Sequence, residues 1–367
     1  MHERQPVPLR CVCQHRRGDP AGAARGRPVT PFVLHHPGSL AEAVALAGQS
    51  ATAQQGASVR FLAGGTSLLD LMKLEVEQPA QVLPLRRLGL DRIEPTPDGG
   101  LAIGALVSNS ALAHDPVVRQ RYAVLSEALL SGASVQLRNM ATTGGNLLQR
   151  TRCVYFRDTA MACNKRVPGS GCAALGGYHR NLAVLGTSEH CIASNASDMN
   201  VALMALDAVV HVTGRQGERA VPIRAFHLLP GVTPHLETVL APGDLVTHVS
   251  LPPLPPGTRS LYLKLRDRAS YEFALASCAV VLTPDADRIG QVAIALGGVG
   301  TIPWRVPQAE RLLSGQQPTP SALQAAAAAA LQGARGHGEN DFKIELARRC
   351  IVHALATACA GLPGAAP

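Results

Sequence analysis

Hydrophobic and polar positions keep two rhythms along this chain. Ser39-Leu40-Ala41-Glu42 forms a capping box, in which the Ser39 oxygen and the Glu42 carboxylate each satisfy an orphan N–H, and an Ala/Val/Leu helix runs on to about Gly48. The apolar run over 59–63 predicts a strand leading straight into Gly64-Gly65-Thr66-Ser67, with a helix over 68–74. A strand is predicted over 101–106, and a single helix over 116–130 opened by Asp115. Asp198 is read as the cap of a helix through Leu206, and strands are expected over 208–213 and 245–251. Pro252-Pro-Leu-Pro-Pro-Gly257 is the clearest linker, stiff and strand-ending. Strand patterns over 260–265, 274–283 and 292–299 follow, then helical patterns over 309–313, 321–331 and 341–360. Strands followed by helices predict an α+β unit.

Residues 150–191 break both rhythms. They hold Cys, Arg and Gly with little periodicity and read as a long loop, which in a compact domain requires something other than a core to hold it. Residues 1–30 also lack periodicity and are expected to be a disordered leader, with structure beginning at Pro31. This gives three parts: the leader, a unit over 31–253 with an insert at 150–191, and a unit over 258–361.

Composition sharpens the picture in two places. Aromatic residues are 3% of the 367, so the core is built from Ala, Leu and Val. The net charge of +8 suggests an anionic partner at first sight, but +4 lies in residues 1–30 and +5 in residues 150–180, leaving the rest close to neutral. That distribution is not a groove-lining stripe. Aromatics that would stack on bases are limited, among the basic residues 150–180, to Tyr155, Phe156 and Tyr178, which argues against a nucleic-acid-binding module. No apolar run of ~18 residues occurs, so no membrane span is expected, and no apolar stretch follows Arg16-Arg17 to make an export signal.

Two glycine loops and one cysteine group carry candidate chemistry. Ala63-Gly-Gly-Thr-Ser67 and Ala141-Thr-Thr-Gly-Gly-Asn-Leu147 both pair hydroxyls with Gly-Gly, where backbone N–H groups can approach a pyrophosphate closely. Neither is a P-loop or a Rossmann fingerprint, and ordinary tight turns are the alternative reading. Cys153, Cys163, Cys172 and Cys191 are spaced C-x9-C-x8-C-x18-C, within a chain whose nine Cys are too sparse to be a disulfide scaffold. Thiolates suit zinc or an iron–sulfur cluster; the spacing lacks the CxxC knuckle of structural zinc sites, and buried free thiols are the alternative. The local positive charge is expected to offset that of an anionic cluster. Cys278, Cys350 and Cys359 lie in apolar runs and read as core thiols, while Cys11 and Cys13 fall in the leader.

The segments Phe61-Leu-Ala-Gly-Gly-Thr-Ser-Leu-Leu-Asp-Leu-Met72, Leu137-Arg-Asn-Met-Ala-Thr-Thr-Gly-Gly-Asn-Leu147 and Ala193-Ser-Asn-Ala-Ser-Asp-Met199 resemble the FAD-binding subunit of the molybdenum hydroxylases, the xanthine dehydrogenase and carbon monoxide dehydrogenase family. Leu296-Gly-Gly-Val-Gly-Thr-Ile-Pro303 resembles its C-terminal domain. The insert from Thr151 to Cys191 is similar to that of bacterial aldehyde oxidoreductase flavoprotein subunits with an extra 4Fe–4S cluster, and a comparable insert occurs in 4-hydroxybenzoyl-CoA reductases. Cys153 is followed by Val154 where Pro is common in that group.

The resemblance implies an α+β chain: a vanillyl-alcohol-oxidase (PCMH)-type FAD-binding domain of two subdomains, and a C-terminal α+β domain of the CO dehydrogenase flavoprotein type. Under it, Phe61, Leu62, Ala63, Gly64, Gly65, Thr66, Ser67 and Leu68, with Thr142, Thr143, Gly144, Gly145 and Asn146, would hold the FAD pyrophosphate. Asp198 would contact the polar chain of FAD, Lys264 would lie near the cofactor, and Phe273 beside the isoalloxazine. Cys153, Cys163, Cys172 and Cys191 would ligate the 4Fe–4S cluster.

The implied function is electron transfer within a molybdenum-containing aldehyde oxidoreductase. Electrons would pass from a 2Fe–2S small subunit, fed by a molybdenum-cofactor large subunit, through this FAD to an external acceptor. A 4-hydroxybenzoyl-CoA reductase-like or xanthine dehydrogenase-like complex is the alternative. The implied compartment is cytoplasm or periplasm, with export on a partner. The chain alone is not expected to oxidise aldehydes, and a scaffold subunit that has lost FAD is disfavoured by the intact glycine loops.

Overall fold

The computed structural model describes residues 29–363, so the leader reading for 1–30, including Cys11 and Cys13, falls almost wholly outside the described residues. Three sheets follow one another along the chain. The first is parallel, with β1 (Val33–Leu34), β2 (Val59–Leu62) and β3 (Gln81–Pro84) in the order β1-β3-β2. Its crossovers are the helices Leu40–Ala47 and Leu68–Lys73, as parallel pairing requires. The second sheet is antiparallel and contains β4 (Ile93–Pro95), β5 (Leu101–Gly104), β6 (Val209–Gly214), β7 (Gly217–Pro222) and β8 (Leu245–Leu251) in the order β4-β5-β8-β6-β7. The third is an antiparallel meander of β9 (Arg259–Leu265), β10 (Ala276–Asp285), β11 (Arg288–Gly297) and β12 (Trp304–Arg305).

Strand β10 is buried continuously from Ala276 to Leu282 because it is covered on both faces. Helix Phe342–Ala358 packs on one side of the third sheet, and helices Ala123–Ser131 and Asp198–Ala205 on the other. A strand buried on both faces cannot alternate, so its buried stretch is apolar apart from Ser277. Cys278, Cys350 and Cys359 lie in the core between that sheet and its helices, as expected of core thiols.

The strongly periodic elements fall where the pattern puts them, and the differences have local causes. Ser39 caps its helix, with Glu42 N–H donating to the hydroxyl at 3.2 Å, but the Glu42 carboxylate accepts from Gly38 N–H (2.7 Å) instead of the Ser39 N–H. The helix predicted over 116–130 is two helices, Pro116–Arg121 and Ala123–Ser131, with Asp115 capping the first. Tyr122 leaves helical geometry to bury its ring completely and donate its hydroxyl to the Pro252 carbonyl at 2.9 Å, which pins the proline linker to the core. Helix Asp198–Ala205 is capped by Ser197, whose hydroxyl accepts from Asn200 N–H at 3.1 Å, so Asp198 is not the cap. The two hairpin strands meet through a turn containing Ala286 at φ 51°, which starts β11 several residues before its apolar run.

The insert has no sheet and a single helical turn, Val154–Arg157. Polar groups organise it. The Arg166 guanidinium donates to the carbonyls of Tyr155 (2.7 Å), Phe156 (2.8 Å) and Met161, closing one loop. The Asn164 amide joins two others, donating to the His190 carbonyl (3.2 Å) and accepting from Gly171 N–H (2.9 Å).

At the far end of the insert Lys343, fully buried, donates to the carbonyls of Asn181 (3.2 Å), Leu182 (2.9 Å) and Gly298 (2.6 Å), joining the insert to the third sheet and its last helix. Burial pushes its ammonium from 10.5 down to about 7. The folded value lies below the unfolded one, so from about pH 7 to 10.5 the unfolded chain binds the extra proton and stability rises with pH. Urea unfolding across this window is expected to show that rise in the native chain and a flatter curve in Lys343→Met.

Candidate functional site

Two cavities flank the glycine loops and meet at Thr66, Ser67 and Gly145. One, of about 200 Å³, lies between the first two sheets and is lined by Phe61, Ala63, Gly64, Gly65, Leu68, Thr142 and Gly144. The other, of about 800 Å³, opens toward the third sheet and is lined by Asn146, Asp198, Lys264 and Phe273. Of the residues singled out in the sequence, Leu62 and Thr143 line neither cavity. Thr143 is buried, and its hydroxyl donates to the Val107 carbonyl at 3.2 Å.

The loops are locked together by backbone. A Cβ on Gly64 would lie 1.7 Å from the Met140 carbonyl oxygen, so only glycine permits the first loop to sit against the lead of the second. Gly65 turns the chain at φ 75°. The second glycine loop is a single helical turn, Thr143–Leu147, whose cap Thr142 accepts from Gly145 N–H at 3.2 Å. It is bonded to the second sheet through Thr143 N–H to Val107 O (2.9 Å) and Gly144 N–H to Ala105 O (2.8 Å). In the first loop, by contrast, the backbone N–H groups of Gly64, Gly65, Thr66 and Ser67 have no partner among the described residues. Ser67 does not cap the helix that follows, which leaves its hydroxyl facing both cavities. Successive free backbone donors at a cavity wall are what binding of an anionic group requires.

In the larger cavity Lys264 and Asp198 form a buried pair, Nζ to Oδ2 at 2.8 Å, and Lys264 also donates to the Ser131 carbonyl at 3.2 Å. Tyr262, absent from the sequence reading, donates its hydroxyl to Asp198 Oδ1 at 2.6 Å and lies 2.8 Å from Ser277 Oγ. Burial and the neighbouring carboxylate hold the Tyr262 phenol far above its ordinary value, so it stays a donor. The signal for Tyr262 is its place two residues before Lys264 on one face of β9. Phe273 is 44% exposed at the cavity rim, its ring 5.2 Å from the Arg152 guanidinium.

All four clustered cysteines line one further small cavity; Cys153, Cys163 and Cys191 are buried, Cys172 is half-buried, and all are free thiols. Burial pushes the Cys153 thiol to about 11 and also raises Cys191, so without a metal they are protonated and unreactive. Among the described residues no three His, Cys, Asp or Glu side chains close round a single metal ion. Four soft donors around one space, with no acid on its wall, fit a polynuclear iron–sulfur group.

The positive charge of the insert is arranged differently from the expectation that it offsets a cluster directly. Arg152 and Arg157 reach Asp70 on the helix after the first glycine loop (3.6 and 2.8 Å), and Arg180 pairs with Asp267 (2.7 Å). Arg150 binds Glu77 (2.5 Å) and Glu237, Arg60 binds Glu77 (2.8 Å), and Lys165 binds Glu237 (3.0 Å). Burial acts to raise the Glu237 carboxyl, but Arg150 and Lys165 outweigh it and hold the group below its ordinary value. The acids come from outside the insert, so its cations tie it to the glycine-loop unit and, through Arg180, to the C-terminal unit. Charge counting within 150–180 cannot see those partners.

Residues 30–254 match the family described as the FAD-binding domain in molybdopterin dehydrogenase, and residues 261–358 the CO dehydrogenase flavoprotein C-terminal domain. The chain is 52% identical over 308 residues to the aldehyde oxidoreductase FAD-binding subunit PaoB of Escherichia coli (strain K12), covering 84% of this chain and 93% of that one. It is 28% identical to the carbon monoxide dehydrogenase medium chain of Hydrogenophaga pseudoflava, covering 90% and 97%. A solved carbon monoxide dehydrogenase from Hydrogenophaga pseudoflava, lacking the Mo-pyranopterin moiety of its cofactor, superposes with TM-score 0.70 at 28% identity, over 90% of this chain and 99% of that one.

The interlocked loops yield a direct test. Gly64→Ala forces backbone to move and is expected to lower stability by about 2 kcal/mol or more. Gly176→Ala, where a Cβ meets nothing within 4 Å, should change it by no more than about 0.5 kcal/mol. Urea denaturation of the two variants and the native chain measures both.

Proposed function

Because this chain belongs to the FAD-binding subunits of the molybdenum hydroxylases, the aldehyde oxidoreductase and CO dehydrogenase family, we propose that it is the electron-transfer subunit of an aldehyde-oxidising complex and carries both FAD and a 4Fe–4S cluster. The observation that carries the FAD half is the run of free backbone donors at Gly64–Ser67, open to a cavity on each side. A pyrophosphate needs such donors and needs glycine to come close to them. The smaller cavity, walled by Phe61 and the first two sheets, suits the adenosine end. The larger suits the isoalloxazine, with Phe273 at its rim and Lys264 and Asp198 on its wall.

Bound FAD supplies the exchange between one-electron carriers and a two-electron acceptor, and the cluster a one-electron site; the protein's part is to hold and tune them. Lys264 places a fixed positive charge on the cavity wall and is itself held by Asp198 and the Ser131 carbonyl. Tyr262 fixes the carboxylate from its far side. Cys153, Cys163, Cys172 and Cys191 are the proposed cluster ligands. The proposed partners are a molybdenum-cofactor large subunit that oxidises the substrate and a 2Fe–2S small subunit that delivers the electrons, with an external acceptor taking them on. Among the described residues no helix is long and apolar enough to cross a membrane.

Anaerobic purification, a visible spectrum and assay of iron and acid-labile sulfide test this reading. Flavin bands over a broad iron–sulfur absorption are expected. Cys172→Ser should lose the broad absorption while flavin remains. A colourless protein holding one zinc ion contradicts the proposal.

A further inference from the structure

The cavity of the four cysteines carries one fixed cation. Lys165, two residues after Cys163 and 8% exposed, is the single Lys or Arg on its wall, and no Asp or Glu lines it. Its neighbour Arg166 faces backbone carbonyls instead. The Lys165 ammonium is held from behind by the Pro234 carbonyl (2.9 Å) and Glu237 Oε1 (3.0 Å), and Glu237 is not part of the cavity wall. The Lys165 charge acts on the Cys191 sulfur, and Glu237 is the carboxylate that pairs with it. Glu237 also binds Arg150, which with Arg60 holds Glu77; these three residues line the cavity beside the first glycine loop. Alternating charges thus run from the cysteines to the glycine loops.

We propose that Lys165 and Glu237 are a tuning pair that sets the reduction potential of the group held by the four cysteines, Lys165 favouring the reduced form and Glu237 restraining it. This rests on the 4Fe–4S reading above. One-electron reduction adds one negative charge inside a cavity with little water, where a nearby fixed charge acts at low effective dielectric. A cation on the wall stabilises that added charge. The carboxylate paired with that cation opposes it. Side-chain packing alone gives no reason for the two residues to act with opposite sign.

The test is an anaerobic dithionite titration of the full chain with its accompanying subunits, following the reduced cluster by electron paramagnetic resonance. Lys165→Met is expected to disfavour the reduced form by about tenfold, a shift of ~59 mV downward for a one-electron couple. Glu237→Gln should shift the potential upward, and because it keeps the lysine it reads the sign even where Lys165→Met loses iron. Lys165→Arg retains the charge and should stay near the native value, and the Lys165→Met/Glu237→Gln double variant should lie between the single ones. Absence of iron and sulfide from the native protein would sink the cluster reading itself. With the native cluster intact, unmoved potentials, shifts of one sign, or loss of the cluster in both single variants but not in the double overturn the tuning role and leave the pair as a clamp for the insert.

Discussion

The Gly64 backbone and the Met140 carbonyl approach so closely that no side chain fits between them. That contact joins the parallel first sheet to the helical lead of the second glycine loop, and the cavities on either side exist because of it. It also explains why the two loops differ in their bonding. The second is tied to the second sheet by its own N–H groups and acts as a fixed wall. The first, positioned by that wall, does not need its N–H groups for folding and leaves them free. One loop's donors are used in the fold and the other's are left.

The cysteine insert follows a different rule. It has almost no regular structure, and its small apolar cluster includes three of the cysteines themselves, with Phe156 and Ile192. Its shape comes from arginines closing loops on carbonyls and from ion pairs to acids on other elements. The pairs at Glu77 and Glu237 are largely buried; such pairs contribute little net stability because desolvation offsets their attraction, but breaking one is costly. They are suited to fixing where a segment lies. Asp70 and Glu77 both belong to the first glycine-loop unit, so the insert is registered against the flavin-binding part of the chain.

Much of this was legible in the sequence. Strands β8 and β9 and the last two helices have strong enough periodicity to be read, and the glycine and cysteine motifs stand out as residue types. Sheet edges were not legible: β1 is two residues long, and β7 has a polar sequence that only its pairing with β6 makes a strand. The break at Tyr122 was hidden because the residues around it suit one continuous helix; a tertiary bond to Pro252 overrides them. Asp198 looked like a cap because Asp is a good one, but Ser197 precedes it and the carboxylate is used by Lys264 and Tyr262. The charge chain from Arg60 to Lys165 spans more than a hundred residues and has no local signature.

Lys343 gives the molecule a joint of an unusual kind. The ammonium reaches three carbonyls in two segments with no carboxylate among them and no exposure to solvent. Mobile ions weaken exposed pairs such as Arg180 with Asp267, but they do not reach a buried ammonium held by carbonyl dipoles. The Lys343 contacts between the insert and the C-terminal sheet are therefore less sensitive to ionic strength than the surface pairs nearby.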